Sequence, residues 1–163
     1  MDELSDGEIN NNVLARMISG SVLSGRMGKG VSAYLGRYAR QITLIEEDAK
    51  QIILGWIRPM SYKFSFQPVL FNFVKKLYSF TSNLNGSRRA MLPVGTFEEL
   101  MPQDFLPTQL LRSILVMDTD QAQLLGALEL DEEDLSLVGF ACPAKYEYGL
   151  ALRDSLTKIE KEG

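Results

Sequence analysis

The chain has no histidine and a single cysteine in 163 residues. The missing imidazole removes the commonest general base and metal ligand of proteins. A Ser-His-Asp triad, a Cys-His pair and a histidine-rich zinc site cannot be built from this chain alone. One thiol, Cys142, leaves no intrachain disulfide framework and fits a reducing compartment. It also falls far short of the four thiolates that hold an iron-sulfur cluster. Long apolar runs are missing too. QPVLFNFV (67–74) is among the longest, well below the roughly 18–20 residues that span a bilayer. The opening MDELSDGEINNN is acidic and polar, the reverse of a basic and then apolar secretory leader.

What is present suffices for a fold. Hydrophobic residues make up 45% of the chain, enough for one ordinary core or two small ones. The net charge of -4 is unevenly spread: residues 1–90 hold 12 Lys+Arg and 7 Asp+Glu, whereas 91–163 hold 5 and 14. That asymmetry implies two modules with different surfaces, either simply solvated or matched to a partner. No nucleic-acid partner is expected.

Residues 1–12 read as a polar lead-in. From Val13 to Leu23 the pattern turns strand-like, interrupted by Gly20. The loop GRMGKG (25–30) has glycines and a lysine suited to an anion, but it lacks the strand-to-helix setting of a phosphate loop. Gln41–Ile45 alternates as a strand, and QIILGWI (51–57) reads as another. Residues 13–60 therefore predict a small β module. The connecting segment 61–90 is aromatic-rich. After Pro68 its apolar residues recur at helical spacing, with Lys75 and Lys76 on another face. That helix packs one module on the next, or touches a membrane surface or quinone through Phe71, Phe73, Lys75 and Lys76.

Residues 91–163 carry the most specific pattern. MLPVGTFEELMP (91–102) and EEDLSLVGFACP (132–143) superpose with a shift of 41 residues. Met91, Val94, Phe97 and Met101 then fall on Glu132, Leu135, Val138 and Cys142. Their spacing is that of the ferredoxin run C-x2-C-x2-C-x3-C-P, in which the Cys before Pro ligates the other cluster. Seven of the eight thiolates are absent. The predicted domain is all-α, with four helices and two irregular loops. Apolar side chains fill the volume of the missing clusters, and Glu132 faces solvent. Asp104 or Thr108 is expected to cap a helix through Met117, Asp118 or Asp120 another through about Leu128, and Asp131 leads a third over EEDLSLVGF (132–140), whose acidic first turn suits the helix dipole. A last helix, from about Tyr148 to Lys161, has Leu150, Leu152, Leu156 and Ile159 on its apolar side. Cys142 is expected to be a buried structural thiol.

Several blocks carry a family resemblance. ISGSVLSGR (18–26), AYLGRY (33–38), QITLIEE (41–47), LGWI (54–57), NGSRRAMLPVG (85–95), CPAKYEYG (142–149) and IEKEG (159–163) resemble, in order, the A subunit family of the sodium-translocating NADH:quinone oxidoreductases. MPQDFLPTQLL (101–111) is similar to the segment after the first cluster motif in the C subunit of Rnf-type complexes. One departure is Ala144, where the family pattern has Gly.

The resemblance implies an α+β chain: a β-grasp-like SLBB module at 13–60, then an all-α domain at 91–163 resembling a two-cluster helical ferredoxin without its clusters. It implies about the C-terminal third of a longer subunit, peripheral on the cytoplasmic face of the bacterial inner membrane. The complex is a translocase that oxidises NADH, reduces ubiquinone and exports sodium. Its flavins and iron centres are implied to lie in other subunits. This chain is then expected to hold no cofactor, metal or catalytic residue and to dock chiefly on membrane subunits, near the quinone approach. A quinone-binding module and an iron-sulfur electron carrier remain as alternatives.

Overall fold

The structure is a computed structural model that describes residues 14–48, 50, 54, 80–93 and 95–162. The lead-in, most of the strand expected at 51–57, the aromatic helix with Phe71, Phe73, Lys75 and Lys76, and Val94 lie outside the described residues. The chain divides into two compact units, Met1–Gly86 and Ser87–Gly163. The fold is mixed α+β; among the described residues the strands lie in the first unit and the α-helices in the second.

Among its described residues, the first unit holds a three-stranded antiparallel sheet in the order β2-β1-β3. Its strands are β1 (Ala15–Ser19), β2 (Arg26–Met27) and β3 (Ile42–Glu46). Ala15 pairs with Glu46 and Ser19 with Ile42, while Ile18 pairs with Met27 on the other side. Ile18 and Ser19 are buried. The strand expected to run on toward Leu23 ends at Ser19. Gly20 takes a φ of +109° there, a conformation closed to most side chains. Val22 and Leu23 therefore sit on the turn 21–24 and are exposed. The glycine loop is partly strand, since β2 lies within it. A short 3-10 turn, Gly30–Ser32, follows Lys29 in place of an α-helix. Beyond β3, Thr81 makes an isolated parallel bridge to Glu46.

The second unit contains α1 (Thr96–Leu100), α2 (Pro107–Val116), α3 (Thr119–Leu124), α4 (Ser136–Ala141) and α5 (Tyr148–Glu162), with a 3-10 turn at Ala127–Glu129. The helix expected from Asp131 is present as α4 but starts only at Ser136, and the first expected loop contains a short helix, α1. A common cause ends both. Met101 and Cys142 each precede a proline, which disfavours the α conformation at the residue before it. Both adopt extended backbone, at φ/ψ of -109°/93° and -68°/117°.

The capping expectations are met only in part. Asp118 caps α3 by accepting a hydrogen bond from the Gln121 amide at 3.1 Å. Neither Asp104 nor Thr108 caps α2. Leu106 takes that position without a side-chain bond, and Pro107 follows as first helical residue, where its missing N–H costs nothing. On α5, Leu150 is 65% exposed instead of facing the core. The buried stripe is Tyr148, Leu152 and Ser155, spaced four and three as one helix face requires.

Candidate functional site

The 41-residue shift also matches element ends and buried positions. It carries the last residue of α1, Leu100, onto that of α4, Ala141, and the first residue of α2, Pro107, onto that of α5, Tyr148. Buried positions follow: Phe97 with Val138, Met101 with Cys142, Leu111 with Leu152, and Ile114 with Ser155. α1 packs on α4 and α2 on α5. The helix pairs α1–α2 and α4–α5 thus follow the 41-residue shift in their ends and buried positions, with α3 and the 3-10 turn between them.

Five of the eight cluster-pattern positions meet in one core. Phe97, Met101, Leu135, Val138 and Cys142 are buried there, and Met91 packs against it partly exposed. Glu132 stands apart, half-buried and ion-paired with Arg153 on the first turns of α5. Its carboxylate accepts from Arg153 Nε. Val94 is outside the described residues.

Tyr148 is buried in the same core and contacts two of these positions, Phe97 and Cys142. The Phe97 ring meets it edge-on, with centroids 6.0 Å apart and planes at 80°. Such edge-to-face contacts add to the area that the rings bury. Tyr146 lies 6.0 Å away on a tilt. The Tyr148 hydroxyl is 3.2 Å from Cys142 Sγ. Burial raises the phenol far above the ordinary tyrosine range, and its bond to Cys142 adds to the effect. Sequence reasoning reads Tyr148 only as a helix start. Extending the 41-residue register beyond Pro143 singles it out, because it then falls on Pro107, another first helical residue.

Around this core, polar contacts tie segments together. Thr108 Oγ1 donates to Glu98 Oε1 at 2.6 Å, joining α1 to α2 and holding the Glu98 carboxyl below its usual range. Ala144, the departure from the family pattern, is buried with ordinary backbone. The left-handed residue is its neighbour Lys145, at φ +60°. Desolvation lowers the Lys145 amine, and nearby Arg89 lowers it further. Among the described residues no group of three or more His, Cys, Asp or Glu is placed to hold a metal ion. The convergence offers one shielded thiol, one neutral phenol and hydrocarbon, a chemistry suited to packing.

These features describe an α+β protein whose repeat positions build a closed core. No protein-family model matches the chain. It is similar over nearly its whole length to curated proteins named as the A subunit of Na(+)-translocating NADH-quinone reductase. The relative from Hahella chejuensis is 55% identical over 99% of this chain. That from Rhodopirellula baltica is 50% identical over 100%, and that from Pasteurella multocida 53% identical over 99%. The chain is therefore related throughout to this A subunit, and it spans 35–36% of the length of these relatives.

Proposed function

We propose that the chain is a docking and scaffold module of a sodium-pumping NADH:ubiquinone reductase, a translocase, with no redox centre of its own. In this reading it sits on the cytoplasmic face of the bacterial inner membrane as a peripheral part of the complex. Membrane subunits are its chief partners, and it helps shape the approach of ubiquinone. NADH, flavins and iron centres are handled by other subunits. The strand unit is the SLBB, β-grasp-like module. The helical unit is a two-cluster ferredoxin shell whose cluster volume is taken up by side chains.

The observation that carries the reading is the 55% identity to an A subunit of this reductase over 99% of the chain. The non-redox part is supported by the burial of Phe97, Met101, Leu135 and Val138 at positions where ferredoxins need thiolates. A peripheral place is consistent with the absence, among the described residues, of a helix long and apolar enough to cross a membrane.

The test uses tagged chain mixed with detergent-solubilised complex stripped of its A subunit. The chain is expected to co-elute with the membrane subunits and to compete with the intact A subunit for them. Free elution without competition refutes the docking role. Anaerobically purified protein supplied with iron and sulfide is expected to stay colourless. A brown protein with about four irons per cluster refutes the non-redox part.

A further inference from the structure

Between Leu14 and Ile45 the chain carries Arg16, Arg26, Lys29, Arg37 and Arg40 and no Asp or Glu. The sheet sorts these charges by end. At the end where Ala15 pairs with Glu46, Arg16 is neutralised by Glu47 through two hydrogen bonds of 2.6 Å. Lys29 also acts on Glu47 through its charge.

The opposite end, at Ser19 and Gly20, is built differently. There Ser19 and Gly20, which lead into the turn 21–24, are tied to Gly36, Gln41 and Thr43. The Gly36 amide donates to Ser19 Oγ at 2.8 Å, the Gly20 amide to the Gln41 carbonyl at 2.9 Å, and Thr43 Oγ1 to the Gly20 carbonyl at 2.7 Å. These segments expose Val22, Leu23 and Tyr38, the last 90% accessible. Arg26, Arg37 and Arg40 are exposed near them, and the Arg37 guanidinium lies 6.0 Å from the Tyr38 ring centre. Among the described residues, none of these three arginines forms a salt bridge.

We propose that this end of the strand unit is a docking surface for anionic phospholipid headgroups. Guanidinium groups match phosphate oxygens in geometry and charge. Tyrosine favours the headgroup level, where its ring is half-immersed and its hydroxyl stays wet. Val22 and Leu23 gain by leaving water for the acyl boundary. An acidic protein face accounts for the arginines equally well, but exposed aliphatic tips and an exposed tyrosine on the segments that carry them match a layer of phosphate over hydrocarbon. The surface is argued from the strand unit alone and stands apart from the docking on membrane subunits proposed above.

The test is co-sedimentation of the full chain with vesicles of phosphatidylcholine alone and of phosphatidylcholine with one third phosphatidylglycerol. Binding is expected only to the second, falling about tenfold or more between low and high salt. Arg37→Glu with Arg40→Glu is expected to weaken binding by about tenfold or more, since it reverses two charges at the surface. Arg112→Glu with Lys161→Glu makes the same charge change in the helical unit and is expected to leave binding within about twofold. Circular dichroism checks that each variant folds. Tyr38→Ala, which removes an almost fully exposed ring, is a milder second variant and is expected to weaken binding several-fold. Equal binding to both vesicles, no vesicle binding, undiminished binding by Tyr38→Ala, or equal losses in the two charge variants would overturn the proposal. Capture on polyglutamate beads without vesicle binding would assign the surface to an acidic protein instead and overturn it as well.

Discussion

The Cys142 thiol and the Tyr148 hydroxyl lie 3.2 Å apart inside the helical core, joining the end of α4 to the start of α5 across Pro143. Tyr148 is 1% exposed, so its ring and its hydroxyl contribute separately. Tyr148→Phe keeps the ring and loses a single bond to sulfur, a cost of about 1 kcal/mol. Tyr148→Ala also loses the edge contact with Phe97 and opens a cavity, a cost of about 3–5 kcal/mol. Denaturant unfolding measures both, and equal losses would show that ring packing contributes nothing. The phenol also has a pH signature. Its folded pKa lies above the unfolded value, so its contribution is complete below about pH 10 and declines as pH rises past it.

The Thr108 hydroxyl and the Glu98 carboxylate predict an acid dependence of opposite sign. Glu98 is held below its unfolded pKa, first by Thr108 and then by its own backbone amide. Its contribution is present above the unfolded value of about 4.3 and is lost as pH falls through the lower folded one. Thr108→Val keeps the buried shape and removes the donor. It is expected to cost about 0.5–1 kcal/mol at neutral pH, a small figure because Glu98 is exposed. The gap between the two proteins should narrow in acid. A gap unchanged at pH 3 would place the loss in packing instead of the charged bond.

Periodicity made some elements readable and left others silent. Gln41–Ile45 alternates, and β3 runs over Ile42–Glu46. Helix α5 has enough turns for Leu152 and Leu156 to mark its inner side, yet Leu150 misleads because a leucine beside a true core position is equally apolar. Helix α1 spans five residues, too few turns for a period to register, and its signal is the proline that follows it. Helix α4 is announced by the acidic run from Asp131, but it starts only at Ser136. In the sheet unit, Val22 and Leu23 extend an apolar run that Gly20 has already turned out of the strand. Of the candidate site, the 41-residue shift and the apolar residues at the cluster-pattern positions are legible in the sequence. The Cys142–Tyr148 contact is not, because it depends on how two helix ends meet.

Gly126 tests the close packing beside this core. It has a φ of +95°, and a Cβ added there would collide with the Phe105 ring. Gly95 has a φ of +75° with open space where its Cβ would go. Alanine at either site pays for the left-handed backbone, about 1–2 kcal/mol. Only Gly126→Ala must also displace an aromatic ring, which adds about 1–3 kcal/mol. Thermal unfolding of the two variants separates the terms. Equal destabilisation would mean that Phe105 moves aside freely.

In the strand unit, Arg16 and Glu47 form a two-pronged pair: Nε donates to Oε2 and Nη2 to Oε1, both at 2.6 Å. The pair lowers the Glu47 carboxyl below its usual range. It also brackets the Glu47 amide, which donates to the Leu14 carbonyl at 2.8 Å where β1 begins. Lysine carries the same charge but cannot make the planar fork. Arg16→Lys and Arg16→Met are therefore both expected to speed hydrogen exchange at the Glu47 amide, with methionine the larger effect. The Leu110 amide in α2 should keep its rate, which distinguishes fraying of the strand end from global loss of stability. Because the folded pKa of Glu47 is depressed, its protection is complete above the unfolded carboxyl value and fades as pH falls through the folded one. Once rates are corrected for intrinsic exchange, the native chain and Arg16→Met should converge in acid. If they stay apart at a pH where Glu47 is protonated, the guanidinium protects the amide by covering it and not through its charge.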